Sequence, residues 1–271
     1  MSFVPGHVSI TFAVKSDIDP LKMGSTGFGL VLSLGVYCAV VNDRPSSEDA
    51  MIVCDGSAIE DPVTLRALEI VGFSGKGHTI YFRRDLPLGY GLGISGASAL
   101  AACLEVEKDL DKSVRAAHQA EVEFKTGLGD VMAISASLRS NLFPAIVIRK
   151  TPGYKGKVSA LPANNSFGIC LSGLGLETTK ILKDCEWIEL INSAFAGIKL
   201  QGTNIRSVIK MGRIFSDKAG LITPEVLELL ERVPFGTVAT VAHLGTSIIY
   251  TSNDMVQARE SLQDYGKIIE F

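Results

Sequence analysis

The stretch Pro87-Leu88-Gly89-Tyr90-Gly91-Leu92-Gly93-Ile94-Ser95-Gly96-Ala97-Ser98-Ala99 sets four glycines against the start of an alanine-rich segment. Clustered glycines let backbone N–H groups converge on one point. The helix predicted from Ala97 to Glu107, rich in the strong helix formers alanine and leucine, adds its own unpaired amides and the positive end of its dipole. Together these form a cradle suited to phosphate. Ser95 places a hydroxyl where it would reach a metal ion bound to that phosphate.

Three meanings compete for this stretch. It is a structural tight turn before a helix, a dinucleotide site, or a kinase phosphate loop. Gly91, Gly93 and Gly96 satisfy G-x-G-x-x-G as a bare string. That fingerprint should follow directly on a buried strand, whereas Arg83-Arg84-Asp85-Leu86-Pro87 comes before it here. A strand and an acidic ribose ligand should come next, but another helix follows. The Walker pattern is absent too, since no Gly-Lys-Ser/Thr closes the loop.

Downstream lies Ala120-Glu121-Val122-Glu123-Phe124-Lys125-Thr126-Gly127-Leu128-Gly129-Asp130. Phosphoryl transfer uses hard oxygen ligands for magnesium and a carboxylate to receive the proton of the attacking hydroxyl. A helix ending near Glu121 and a glycine loop presenting Asp130 would supply both. On spacing alone the plainer assignment is favoured: Glu121 and Glu123 solvated on a helix, and Asp130 an N-cap.

Further outward, strands are predicted at Val8–Val14, Leu30–Val41, Thr79–Arg83 and Ala145–Arg149. Asp19 to Gly29 reads as a glycine-rich hairpin connection. A second helix is predicted to open after Ser113 as cap and run through Phe124, and a third covers Val131 to Leu138. Loop residues collect between Thr151 and Ser166, the candidate domain boundary. Beyond it come a strand at Phe167–Leu171, several helices, two strands near Val238–Tyr250 and a last one at Lys267–Phe271. Helices between separated strands make this an α+β chain.

The 271 residues suffice for one large or two modest domains, and the net charge of −3 offers no excess of cations for a nucleic-acid backbone. The five cysteines have neither zinc nor redox spacing and are expected to be reduced and buried. No signal peptide opens the chain, and the apolar run from Phe28 to Val41 is too short for a bilayer. A cytoplasmic location without membrane contact is the expectation.

The pattern carried by Pro87, Gly91, Leu92, Gly93, Ser95 and Ala97 resembles the second motif of the GHMP kinases, the group of galactokinase, homoserine kinase and mevalonate kinase. Ile94 departs from it where many members have a serine. The resemblance implies an α+β fold with a ribosomal-protein-S5-like domain over 1–155 and a ferredoxin-like domain over 156–271. It implies ATP and Mg²⁺ as cofactors, with phosphates held by Gly91, Leu92, Gly93, Ile94, Ser95, Gly96 and Ala97. Ser95 and Glu121 would hold the metal, with Glu123 the alternative because the loop is short, and Asp130 would be the catalytic carboxylate.

Pro5-Gly6-His7, Asp19-Pro20-Leu21-Lys22, Gly24-Ser25-Thr26-Gly27, Thr126-Gly127-Leu128-Gly129-Asp130, Leu176-Glu177-Thr178-Thr179-Lys180 and Ala219-Gly220-Leu221-Ile222-Thr223-Pro224 resemble the archaeal pantoate kinases within that group. This implies transfer of the ATP terminal phosphoryl group to the primary hydroxyl of pantoate, giving 4-phosphopantoate for coenzyme A synthesis. His7, which stands where many members carry lysine, is a candidate substrate donor together with Lys22 and Ser25, and chemistry allows Arg139 and Arg149 equally. The family's third glycine-rich motif has only Ala242-His243-Leu244-Gly245-Thr246-Ser247 as counterpart, with a single glycine. Homoserine or a mevalonate derivative as substrate, a nucleotide-binding regulator without turnover, and an RNA-binding module are the rival functions. The last would need a basic surface. The resemblance also admits a homodimer, which nothing in these residues specifies.

Overall fold

The computed structural model describes residues 1–172, 182, 184–199, 202–243, 245 and 247–271. The echo at Leu176–Lys180 lies outside the described residues, as do Leu244 and Thr246 of the third motif.

Two sheets organise the chain. The larger holds β1 (Ser2–Lys15), β2 (Gly24–Asn42), β3 (Met51–Cys54), β4 (Ser57–Ile59), β5 (His78–Arg84), β6 (Ala145–Arg149) and β7 (Val158–Pro162), in the order β4-β3-β5-β2-β6-β7 with β1 paired to β2. The smaller runs β11-β8-β10-β9, built from β8 (Gly168–Leu171), β9 (Thr237–Val241), β10 (Ile248–Ser252) and β11 (Lys267–Glu270). Helices α1 (Pro62–Ile70), α2 (Ile94–Val106), α3 (Leu110–Phe124) and α4 (Asp130–Ser140) fall between strands of the first sheet. Helices α5 (Cys185–Ala196), α6 (Ile205–Lys218), α7 (Pro224–Arg232) and α8 (Met255–Leu262) accompany the second. The chain is thus α+β. No helix among the described residues is long and apolar enough to cross a membrane.

The predicted hairpin connection from Asp19 to Gly29 is shorter than expected. Residues 24–29 belong to β2 and pair with β1 from Lys15 to Ser9. Glycine permits this because the two backbones lie very close: a Cβ on Gly27 would overlap the Thr11 carbonyl, and one on Gly29 would overlap that of Val8. The register of β1 shifts between Pro5 and His7 and again between Ser9 and Thr11. Such bulges re-aim the side chains beside them, here His7 and Ser9.

Helix α2 begins at Ile94, inside the glycine stretch and earlier than predicted, so Ser95, Gly96 and Ala97 form its first turn. Ala97 and Ala99 to Ala102 are fully buried, and the helix is wrapped by protein on most sides. Helix α3 also begins before its predicted cap. Asp109 caps it by accepting from the amides of Asp111 and Lys112, while the Ser113 hydroxyl donates to the Glu107 carbonyl.

One apolar core spans both sheets. Ile10, Leu30, Ile80, Leu100 and Ile134 are packed in the same cluster as Phe167, Ile169, Val208, Ile209 and Ile249. Close approach again depends on glycine, since a Cβ on Gly212 of α6 would stand 2.5 Å from Ile10 Cγ2 on β1. The cysteines are all free. Cys38, Cys103 and Cys170 are buried as expected, with burial pushing the Cys103 thiol up to about 12, whereas Cys185 is exposed because α5 turns it to solvent.

Candidate active site

Six of the described helices have a polar side chain on their N-terminal amides: Asp61, Asp109, Asp184, Asn204, Thr223 and Asp254. Helices α2 and α4 do not. Their N-caps are Gly93 and Gly129, which supply no side-chain cap to the first-turn amides. Those amides are left for another acceptor. The two uncapped ends meet, because a Cβ on Gly93 would lie 3.3 Å from Asp130 Oδ1.

Asp130 is therefore the first residue of α4 and not its cap. Its Oδ1 is 2.6 Å from His7 Nδ1, and its side chain keeps 19% of its surface accessible while that of His7 keeps none. Burial raises the Asp130 carboxyl, but the His7 hydrogen bond and the charge of Arg149 outweigh it and hold the group below the ordinary carboxylate value. His7 itself is lowered, chiefly by burial.

Behind His7 stands Arg149 of β6, 2% exposed. Its Nη1 donates to His7 Nε2 at 3.1 Å and its Nη2 donates to Ser9 Oγ at 3.4 Å. Burial lowers the guanidinium to about 10, opposed by Asp130, so it stays charged at neutral pH. Its Nε is buried with no hydrogen-bond partner. That N–H lies beside Gly129, where a Cβ would stand 2.7 Å from Arg149 Nε and would overlap Ser25 Oγ. Ser25 reaches the same place through its backbone, whose amide donates to the Leu128 carbonyl at 3.1 Å.

On the other side of Asp130 is Glu121, 2% exposed. Thr126 Oγ1 donates to Glu121 Oε1 at 2.6 Å. Burial and then the neighbouring Asp130 charge push its carboxyl up to about 7, against the lowering effect of the Thr126 and Ser95 hydroxyls. Glu121 is thus a desolvated carboxyl with a hydroxyl on each side and no ion pair among the described residues. The donor set fits magnesium, which takes one or two protein oxygens and completes its shell with water and phosphate. Among the described residues no three His, Cys, Asp or Glu side chains gather as a metal cage, so phosphate oxygens would be part of the shell. Glu123 points elsewhere, into an exposed ion pair with Arg66 Nε at 2.7 Å.

The phosphate-loop residues lie around these groups. Gly91 and Gly93 adopt φ of +74° and +64°, left-handed values that favour glycine. The Leu92 carbonyl accepts from the His7 amide at 2.9 Å, which ties the loop to β1. A Cβ on Gly96 would meet Glu121 Oε2 at 2.9 Å. The third-motif segment packs on the same loop from the other sheet: a Cβ on Gly91 would stand 2.8 Å from the His243 carbonyl, and one on Gly245 would overlap the Tyr90 carbonyl.

Two sequence candidates stay outside the cluster. The Lys22 ammonium is in solvent, 3.9 Å from Asp19. Arg139 is exposed and paired with Asp111. The residue that sequence reasoning passed over is Ser9, while Thr126 and Ala242–His243 entered only as parts of motifs and without a contact of their own. Ser9 had a signal, since positions i and i+2 of a strand share a face and His7 precedes it by two.

Residues 61–137, which include α2, α3 and the start of α4, match the family model of the GHMP kinases N terminal domain. The chain has the GHMP kinase fold. GHMP kinases are phosphotransferases acting on a hydroxyl group. Over 99% of its length the chain is 28% identical to pantoate kinase of Methanocaldococcus jannaschii, covering 96% of that protein. It is 26% identical to pantoate kinase of Methanospirillum hungatei JF-1 over 99% of the chain and 92% of the relative. A solved structure described as a phosphotransferase related to the CoA biosynthesis pathway superposes with a TM-score of 0.77 at 22% identity, covering 99% of this chain and 93% of that one.

Proposed function

We propose that the chain is an ATP- and magnesium-dependent kinase that phosphorylates the primary hydroxyl of pantoate, giving 4-phosphopantoate for coenzyme A synthesis. The observation that carries this reading is the orphaned N–H of Arg149. A buried guanidinium edge beside Ser25 and Gly129, next to the Asp130 carboxylate, suits an acceptor that carries its own carboxylate close to the hydroxyl that reacts. Pantoate is such a molecule, and the two pantoate kinases aligned over nearly the whole chain support the choice.

In this reading the uncapped amides of α2 and the turn from Gly91 to Ala97 hold the ATP phosphates. Ser95 and Glu121 hold Mg²⁺, which when bound neutralises charge on the phosphate oxygens. Arg149 and Ser25 anchor the pantoate carboxylate, which orients the primary hydroxyl towards the phosphoryl group. The hydroxyl oxygen forms the new bond to phosphorus, the bond from phosphorus to the bridging oxygen breaks, and ADP leaves. Asp130 takes the hydroxyl proton. His7 has both ring nitrogens engaged within the protein, so the substrate contacts fall to Arg149 and Ser25.

Product analysis tests the reading. After incubation with ATP, Mg²⁺ and pantoate, phosphorus NMR is expected to show a phosphate monoester coupled to two equivalent or near-equivalent methylene protons. A monoester coupled to a single methine proton would place the transfer on the secondary hydroxyl and contradict this reading.

A further inference from the structure

We infer that His7 is a positioning residue, held by Arg149 as the imidazole protonated on Nδ1, which occupies one oxygen of Asp130 and leaves the other to receive the acceptor's proton. The inference deepens the kinase reading and rests on it.

The hydrogen-bond order follows from donor counting. A guanidinium has donors only. Because Arg149 Nη1 lies 3.1 Å from His7 Nε2, that nitrogen must be the acceptor, and the ring proton belongs on Nδ1. Nδ1–H then donates to Asp130 Oδ1 across 2.6 Å. An imidazolium would turn a second N–H towards Arg149, setting donor against donor and charge against charge. Burial works in the same direction by disfavouring the charged ring.

The ring is also walled in. A Cβ on Gly29 would stand 2.5 Å from His7 Nε2, and one on Gly93 would stand 3.0 Å from the His7 carbonyl and 3.3 Å from Asp130 Oδ1. His7 is fully buried, so a substrate has no approach to it. The two oxygens of Asp130 are therefore unlike. Oδ1 faces His7 and the Gly93 turn, whereas Oδ2 faces Gly127, where a Cβ would lie 2.8 Å from it and would overlap Glu121 Oε2. The oxygen turned away from His7 thus points to the side where the phosphates and metal ion would collect. A lysine at this position would pair its charge with Asp130 directly. The imidazole instead keeps the cation of Arg149 one ring away and fixes the carboxylate without neutralising it.

The test has two readouts on the full chain. Long-range proton–nitrogen NMR, with the His7 signals assigned by their loss in His7→Asn, is expected to show protonation on Nδ1 alone at neutral pH. Protonation on Nε2, or on both nitrogens, would overturn the inference. In steady-state kinetics His7→Leu is expected to lower kcat roughly 10²-fold, the scale of a misplaced catalytic group, with both KM values nearly unchanged. His7→Asn retains a donor near the place of Nδ1 and is expected to recover about tenfold of that loss. A rise in the acceptor KM with kcat intact would make His7 a substrate ligand, and equal impairment of both variants would make it mere packing. Because the NMR readout needs no turnover, a chain with the expected tautomer and no activity would overturn the kinase reading while leaving the hydrogen-bond order standing.

Discussion

Glu121 and Asp130 face one another across Gly127: a side chain there would overlap Glu121 Oε2 and stand 2.8 Å from Asp130 Oδ2. Two carboxylates this close repel, which together with its own burial pushes Glu121 up to about 7. Asp130 escapes the same fate through His7 and Arg149. The environments separate the pair into one raised carboxyl and one that stays ionised, the difference that the proposed metal-binding and proton-accepting roles call for.

Replacing Asp130 by asparagine removes the proton acceptor and keeps the volume. Turnover is expected to fall roughly 10²- to 10⁴-fold while ATP still binds. Rapid-mix kinetics beside nucleotide titration checks this, and unchanged turnover would remove Asp130 from the chemistry.

Glu121→Gln and Glu123→Gln are expected to part company. The first is expected to cost roughly 10²- to 10³-fold in kcat, whereas the second touches an exposed ion pair with Arg66 and a surface bond from Gln119 and is expected to change turnover by about twofold. In the magnesium-free protein the raised Glu121 carboxyl favours folding below its ordinary value of 4.5, an advantage lost as pH rises through about 7. The thermal stabilisation given by MgATP is accordingly expected to grow from pH 6 to pH 8 in the parent chain and to stay flat in Glu121→Gln.

Arg149→Ala is expected to erase discrimination by the acceptor's carboxylate. The parent chain should favour pantoate over pantothenate, in which that carboxylate has become an amide, and the variant should lose roughly 10- to 10²-fold of the preference. Equal kcat/KM ratios in parent and variant would move the carboxylate site elsewhere.

His243 is buried and pushed down to about 4 by its desolvation, against the bond its Nε2 makes to the Ile10 carbonyl at 2.8 Å. A lowered histidine contributes stability that is present above its ordinary value of 6.5 and lost as pH falls towards 4. In denaturant titrations the stability gap between the parent and His243→Gln is expected to narrow by on the order of 3 kcal/mol between pH 7 and pH 4. Parallel pH curves would contradict it.

Much of the arrangement was legible in the sequence because it depends on local pattern. Glycine before an alanine-rich helix marked the turn at 91–97, whereas Glu121 and Asp130 were singled out only by the family resemblance, since spacing alone favoured solvated glutamates and an N-cap. What escaped was set by distance along the chain. Arg149 could not be ranked above Arg139, since only the pairing of β6 with β2 brings one beside His7 and leaves the other in solvent. The contact of Ala242, His243 and Gly245 with Tyr90 and Gly91 likewise joins the two sheets, and the single-glycine motif there did not say which loop it would meet. The 19-residue β2 was read short because its glycines, which mark turns elsewhere, here serve close pairing with β1.

The most direct measurement is ADP release with ATP, Mg²⁺ and a panel of pantoate, homoserine, mevalonate and pantothenate, run beside Asp130→Asn. The account expects turnover on pantoate well above the other three, and its loss in the variant. Turnover on another member of the panel would contradict the substrate, and ATP binding without turnover on any of them would contradict the kinase reading itself.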